Sequence, residues 1–587
     1  MRRRALGVMC VALLAGASQT AFQAPISWDL NAQPSVNATG NLVFDSISST
    51  LTHWAHTRYR NGHNLIPGVV PVGTLLYHGR GNPDVPPARP DWVATDPEHS
   101  YIFCRGPGQT AVGCRRMLAP HFGGHATIEG MLTQNTSRYR SSYQNICLQV
   151  LYFDGSSAAK MQDGPMDTQD VVGWRKVCFT FVLGSSHLLH AKVDPSRYFD
   201  ERNRIVDLCA WGKQFGVDGY VRMEMDFEIM LCDFTVGVDV VAMANLVSER
   251  SWGPGGPGRG PGRRPGEGGP AEPPHGPPSL WERGPQDAAF GAAGPVGTWG
   301  EVTYAGSWHN RYPGDRRIQL DLSALVSFYD TDLVPSLVPV RFGQERWDHR
   351  LLGISDEDID AVMSRLESFF AAGIPHVDNS GIDWDTLFKV VVDRYADRIE
   401  IVQYILNTTT EASALTTSKR AMQQLHIMLT PYLLYSAKPK TTDNSWAAPI
   451  FKFCATSHTS YIHETPALYS RLTSSEHLLL NAVDEVNREI CRVVTGMWAQ
   501  GVTAGLDTVV SAPEGAEKAT EEHAGGILEE WRTSLAKLVA WLDWSVWIKC
   551  RPECSFEEIC YLPTWPFRRE DRDSYKHPQP ECIPRFE

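Results

Sequence analysis

The sequence predicts an α+β N-terminal domain with a mostly antiparallel sheet, followed by a mainly α-helical C-terminal domain. Three observations carry this. A stretch dominated by Gly and Pro divides the chain from Trp252 to about Gly297. Before it, short β-branched and aromatic runs alternate with Gly and Pro breakers, the pattern of strands. After it, apolar residues recur at three- and four-residue spacing over long windows, the pattern of amphipathic helices. At 587 residues the chain is too long for one ordinary core, and 42% hydrophobic with 10% aromatic residues can fill a large interior.

Residues 1–24 read as a secretory signal peptide. Arg2, Arg3 and Arg4 precede the apolar run Leu6 to Leu14, and Ala15-Gly16-Ala17 fits a small-residue cleavage site, with later cuts near Ala21 or Ala24. That run is too short to span a bilayer, and no later run reaches such a length. Residues 25–251 form the α+β domain. Strands are expected at Thr74–Tyr77, Asn145–Phe153, Lys176–Leu183 and Tyr220–Phe234. Helices are expected at Ile47–Tyr59, at Arg202–Phe215 and from Pro97 onward, where Asp96 suits an N-cap and Pro97 a first helical position.

Residues 252–297 read as a disordered linker, because almost nothing apolar is present to bury. Residues 298–550 form the helical domain. After an irregular or β segment at Glu301–Leu352, helices are expected at Asp356–Phe370, Trp384–Leu406, Ala414–Tyr435, Ser475–Gln500 and Ile527–Trp547. Residues 551–587 form a Cys- and Pro-rich tail. Cys550, Cys554, Cys560 and Cys582 crowd this end, and disulfides are expected there rather than zinc.

A net charge of −13 and a pI near 5.8 exclude the basic face that nucleic-acid binding needs. The arginines at 259, 263 and 264 are too few and too diluted by Gly and Pro to change that. Once Cys10 leaves with the signal peptide, an even set of cysteines stays behind, which fits disulfides in an oxidising compartment. Three N-x-[ST] sequons, at Asn37, Asn135 and Asn407, fit the same secretory setting.

Two N-terminal stretches carry the chemistry. The first is Gly73-Thr74-Leu75-Leu76-Tyr77-His78-Gly79-Arg80. The second is Asp91-Trp92-Val93-Ala94-Thr95-Asp96-Pro97-Glu98-His99-Ser100-Tyr101-Ile102-Phe103. A strand delivering Tyr-His-Gly, followed by an aromatic strand that turns into a helix, resembles the nicotinamide pocket of ADP-ribosyltransferases of the diphtheria-toxin and poly(ADP-ribose) polymerase type. The resemblance covers roughly Gly73–Phe234. It implies that Tyr77, His78 and Gly79 hold NAD, with the His78 imidazole on a ribose and Gly79 letting the nicotinamide amide approach the backbone. It implies that Trp92 and Phe103, or Tyr101, stack on nicotinamide. Trp and Phe replace the family's tyrosines, so stacking survives while a hydroxyl contact is lost.

The resemblance also requires a glutamate that stabilises the oxocarbenium-like charge as nicotinamide leaves. Glu228, in the run Glu228-Ile229-Met230-Leu231-Cys232-Asp233, is the first candidate and Glu224 the second. In one continuous strand the two carboxylates share a face.

The function expected on this basis is cleavage of NAD, as substrate, by an ADP-ribosyltransferase or NAD glycohydrolase, with a protein, a small molecule or water as acceptor. The alternative is a non-catalytic structural or interaction protein of the secretory pathway. Other constellations carry less. Asp154 to Lys160 lacks phosphate-loop spacing and reads as a turn. The pairs His121/His125 and His187/His190 have no Cys or Glu pattern around them. No Gly-x-Ser-x-Gly elbow is present.

Overall fold

A computed structural model describes residues 28–52, 61–71, 73–80, 87–97, 115–120, 148–156, 201–223, 227–238, 242–245, 315–351, 353–372, 379–408, 413–437, 439, 443–513, 519–561 and 579–584. The signal peptide, the Gly/Pro stretch, the expected strand at Lys176–Leu183, and Tyr101, Phe103 and Glu224 lie outside the described residues. So do Cys104, Cys114, Cys147 and Cys178, the four histidines at 121, 125, 187 and 190, and Asn135.

The architecture is α+β, a curled N-terminal sheet with a mostly helical C-terminal region. The sheet contains β1 (Asn61–Val70), β2 (Leu75–Arg80), β3 (Asp91–Ala94), β4 (Arg115–Pro120) and β5 (Leu148–Ser156). It continues with β6 (Gly219–Met223), β7 (Phe227–Leu231), β8 (Ala242–Asn245), β9 (Gln319–Leu320) and β10 (Val326–Ser327). The order across it is β10-β1-β5-β6-β7-β3-β2-β4-β8, with β9 also paired to β1. Every pairing is antiparallel except β5 with β6.

Eight helices of nine or more residues are described: α1 (Gly40–Ser48), α2 (Glu201–Gly212), α3 (Asp356–Ala372), α4 (Trp384–Asn407), α5 (Ala414–Leu429), α6 (Ala448–Thr456), α7 (Ser474–Thr503) and α8 (Glu521–Leu542). Four of the five expected C-terminal helices begin within one residue of the expected position, and local capping explains why; a sixth, α6, was not expected. Asp383 and Ser413 accept from the backbone N–H three residues on, and Thr473 with Glu476 forms a full capping box at the start of α7. The last, α8, starts earlier than its apolar periodicity alone indicates, because Thr520 caps a polar first turn.

The sheet separates two cores. One face carries Ile66, Tyr152, Val221, Ile229 and Val93, which join the interior of α1 and the helices α4 to α8. The other carries Leu65, Leu151, Tyr220 and Met230, which pack with α2 and α3. Sheet alternation explains the division, since neighbouring residues on a strand point to opposite sides.

Three local readings differ from the sequence. The N-terminal helix spans Gly40–Ser48 rather than Ile47–Tyr59; the helical backbone stops before Leu51, whose φ is +57°. The strand β1 was not expected, because Pro67 and Gly68 interrupt its run. Gly68 is needed there, as a Cβ would sit 2.6 Å from the Gln319 carbonyl oxygen of β9. The run Tyr220–Phe234 is two antiparallel strands, β6 and β7, which places Arg222 directly opposite Glu228.

The Gly/Pro boundary does not separate the cores either. β9 and β10, from beyond it, complete the N-terminal sheet along β1. In return α1, from before it, packs on α7 and α4. The two halves interleave because each leaves an apolar face that the other covers.

Candidate functional site

The three motif-bearing strands are consecutive neighbours in the order β7-β3-β2. Tyr77 pairs with Ala94, Ala94 with Glu228, and Glu228 with Arg222. These four form one row across four strands on one face. Trp92 lies in the next row of that face, opposite Met230. Gly79 has the same parity as Tyr77 on β2.

His78 occupies the other face. Its neighbour Tyr77 is in register with Ala94, so His78 shares its side with Val93, which packs with Ile229 and Val221. The imidazole is buried and tilted against Phe234, with ring centroids 5.3 Å apart. Its Nδ1 lies 2.5 Å from the Trp92 carbonyl oxygen. A carbonyl only accepts, so Nδ1 carries a proton and donates it. Nε2 is 4.0 Å from an oxygen of Asp91.

Glu228 is 2% exposed, and its Oε1 accepts a 2.5 Å bond from Nε of Arg222, itself buried. The structure therefore brings Tyr77, Trp92 and Glu228 to one face, with Arg222 beside the carboxylate, and leaves His78 behind the sheet. Glu228 and His78 therefore do not converge on one cleft. The reversal between β6 and β7 also removes the premise that Glu224 and Glu228 share one continuous strand.

Asp96 directly precedes Pro97, which is helical as expected, the residues after it lying outside the described ones, and its carboxylate receives a two-pronged contact from Arg317, at 2.8 and 2.9 Å. The same guanidinium is held by Asp315. This network joins the end of β3 to the chain beyond the Gly/Pro stretch.

A cavity of about 360 Å³ lies elsewhere, at the seam between β1, β9 and the start of α4. Its carboxylates are occupied by local structure: Asp321 by Ser323, Asp383 by Thr386, Asp385 by Lys389, and Glu476 by Ser380, Trp384 and Thr473. The C-terminal cysteines are paired as Cys550–Cys560 and Cys554–Cys582, as disulfides rather than metal ligands. The sulfurs of Cys550, Cys554 and Cys582 all lie within 4.8 Å of one another. Two further bridges, Cys209–Cys232 and Cys454–Cys491, are present among the described residues.

Sequence reasoning missed one polar cluster altogether. At the β1 and β10 edge, the Tyr329 ring stacks on His63 at 4.4 Å and carries the Arg341 guanidinium at 4.7 Å. The Tyr329 hydroxyl lies 3.3 Å from Nδ1 of His349. Beside it, Arg346 donates to Asp45 on α1 at 2.6 Å, and Asp45 also accepts from the backbone and hydroxyl of Ser545. Burial, then the charges of Arg341 and Arg346, drive the His349 pKa down to about 3. Residues so far apart in the chain form no motif, and no local signal marks them.

The family described as the YPL277C N-terminal domain matches residues 34–146 and 136–252. That span runs from just before α1 past β8 and stops where the Gly/Pro stretch begins. The chain is 24% identical over 558 residues to the Saccharomyces cerevisiae uncharacterized protein YOR389W, covering 89% of this chain and 81% of that protein. It is 29% identical over 233 residues to uncharacterized protein YPL277C of the same yeast, covering 36% of this chain and 44% of the relative. No solved structure matches significantly. Among the described residues no helix is long and apolar enough to cross a membrane.

Proposed function

We propose that this chain is a secretory-pathway protein of the ADP-ribosyltransferase type that binds NAD at the β2–β3 end of its sheet. It would break the bond between ribose and nicotinamide, nicotinamide leaving with the electron pair and a protein, small-molecule or water nucleophile taking its place. The observation that carries this reading is strand adjacency. The Glu228 strand comes from more than a hundred residues further along the chain, yet lies beside the Trp92 strand, which in turn lies beside the Tyr-His-Gly strand. Four disulfides, and sequon asparagines Asn37 and Asn407 at exposed positions, support the compartment.

One observation favours a second reading, a non-catalytic structural or interaction protein. Glu228 is engaged by Arg222 and faces away from His78, so those two groups do not converge. The test is NAD binding by calorimetry together with nicotinamide release, using secreted mature protein, His78→Ala and Glu224→Gln. Release that both variants lose supports the enzyme. Binding without release supports the second reading, and absence of binding overturns the NAD site. An intact Met1 with no mass shift on glycosidase treatment overturns the compartment.

A further inference from the structure

We propose that the buried Arg341 guanidinium forms a binding site for a small oxyanion, a carboxylate or a phosphate, at the junction of the β1–β10 edge with the segment 335–349. Three arginines are buried among the described residues: Arg222, Arg341 and Arg346. Arg222 is neutralised by Glu228 and Arg346 by Asp45. Among the described residues no carboxylate pairs with Arg341. Its neighbour is the face of the Tyr329 ring, 4.7 Å away.

The atoms left over identify the ligand. Nε and Nη2 of Arg341 are buried, and neither has a hydrogen-bond partner among the described residues. These nitrogens form the side of the guanidinium whose two N–H groups point in parallel, the edge that grips two oxygens of one carboxylate or phosphate. A buried cation in that state is costly unless an anion completes it.

The surroundings agree in sign. Arg341, Arg346 and Arg350 all act on His349, which is held neutral well below its ordinary range by burial and by these cations. The charged and titratable groups around the site are Arg341, Arg346, Arg350, neutral His349, His63 and Tyr329, with Asp45 bonded to Arg346 and the Asp543 carboxylate acting on that same arginine. Burial likewise lowers the Arg341 pKa to about 10, the response of a cation lacking a counter-charge. The carrying segment lies at the surface: Val340 is 38% and Phe342 57% exposed, and Gly343 turns the chain with φ +74°.

This site is separate from the β2–β3 end. Three strands, β5, β6 and β7, stand between β1 and β3. The inference is thus independent of the NAD reading.

The experiment is a thermal melt of the mature protein in low-salt Tris, with added inorganic phosphate, acetate, or sodium chloride at matched ionic strength, and calorimetric titration of each anion. Phosphate or acetate at saturation should raise the wild-type Tm by roughly 2–4 °C beyond the chloride control. Arg341→Met should melt higher than wild type without anion and show no anion increment. Arg341→Lys should keep the charge and lose most of the increment, because an ammonium cannot hold two oxygens side by side. A response to phosphate alone assigns a phosphate ester or free phosphate, and a response to acetate assigns a carboxylate. An equal increment in Arg341→Met, or no wild-type heat or Tm change with either anion, overturns the proposal, even if a variant fails to fold.

Discussion

His78 and Glu228, on strands that both flank β3, stand on opposite faces of one sheet. Tyr77 in register with Ala94, and Ala94 with Glu228, leaves no other arrangement for His78. The carboxylate turns away from the imidazole and toward Arg222, 2.5 Å off. Charge neutralisation inside the sheet is therefore the evident task of Glu228.

Glu228→Gln should then destabilise the protein rather than only silence it. Removing one member of a buried ion pair leaves the other uncompensated, which costs about 3–5 kcal/mol. Replacing both, as Arg222→Met with Glu228→Met, should recover at least half of that loss. Urea unfolding of the two single variants and the double variant reads this directly. A Glu228→Gln protein as stable as wild type would contradict the structural role.

Asp45→Ala should cost a similar amount, about 3–5 kcal/mol, and should affect both halves of the chain together. Asp45 is 1% exposed and holds Arg346 as well as the Ser545 backbone N–H. Its loss strands a buried cation and a buried donor at the joint between α1 and the residues after α8. Near-UV circular dichroism and tryptophan fluorescence should report one shifted transition. Two separated transitions would argue for independent halves.

His349 makes stability depend on pH. Its folded pKa, lowered to about 3 by burial and by Arg341 and Arg346, lies below the ordinary histidine value of 6.5. Between those values the unfolded chain binds the extra proton, so stability is fully present above about pH 6.5 and drains away as pH falls toward 3. The slope approaches about 1.4 kcal/mol per pH unit. Comparing wild type with His349→Gln between pH 5 and 6.5, above the ordinary carboxylate range, isolates the effect. Parallel curves would contradict it.

The Cys454–Cys491 bridge ties α6 to the middle of α7 across a sequence separation of 37 residues. Both cysteines are buried against Tyr395. Replacing both with alanine should lower stability by about 3–4 kcal/mol on the loop-entropy account. Peptide mapping without reductant should recover this pair along with Cys209–Cys232. A Cys454 peptide that migrates as a free thiol would remove the bridge.

Helices were legible where the signal is local. Asp383, Ser413 and Thr473 announce the starts of α4, α5 and α7 through hydrogen bonds three residues away, and the apolar stripe behind each needs no distant partner to be seen. Strands were less so. β1 is interrupted by Pro67 and Gly68, and its place depends on Gln319 and Leu320 pairing from far along the chain. The β6–β7 reversal hides inside one continuous run, because the period-two pattern is the same on both strands.

From its residue order alone this chain determined its α+β character, its C-terminal helices and the stretch that interrupts it, since periodicity, capping and Gly/Pro content act over a few residues. Tertiary structure alone decided which face each motif residue occupies, and that the segments on either side of the Gly/Pro stretch share both cores. It also decided that Arg341 is buried without a counter-charge while Arg346 meets Asp45. Register across strands, and charge pairing between residues 301 positions apart, are settled only when distant surfaces exclude water together; no local pattern encodes that.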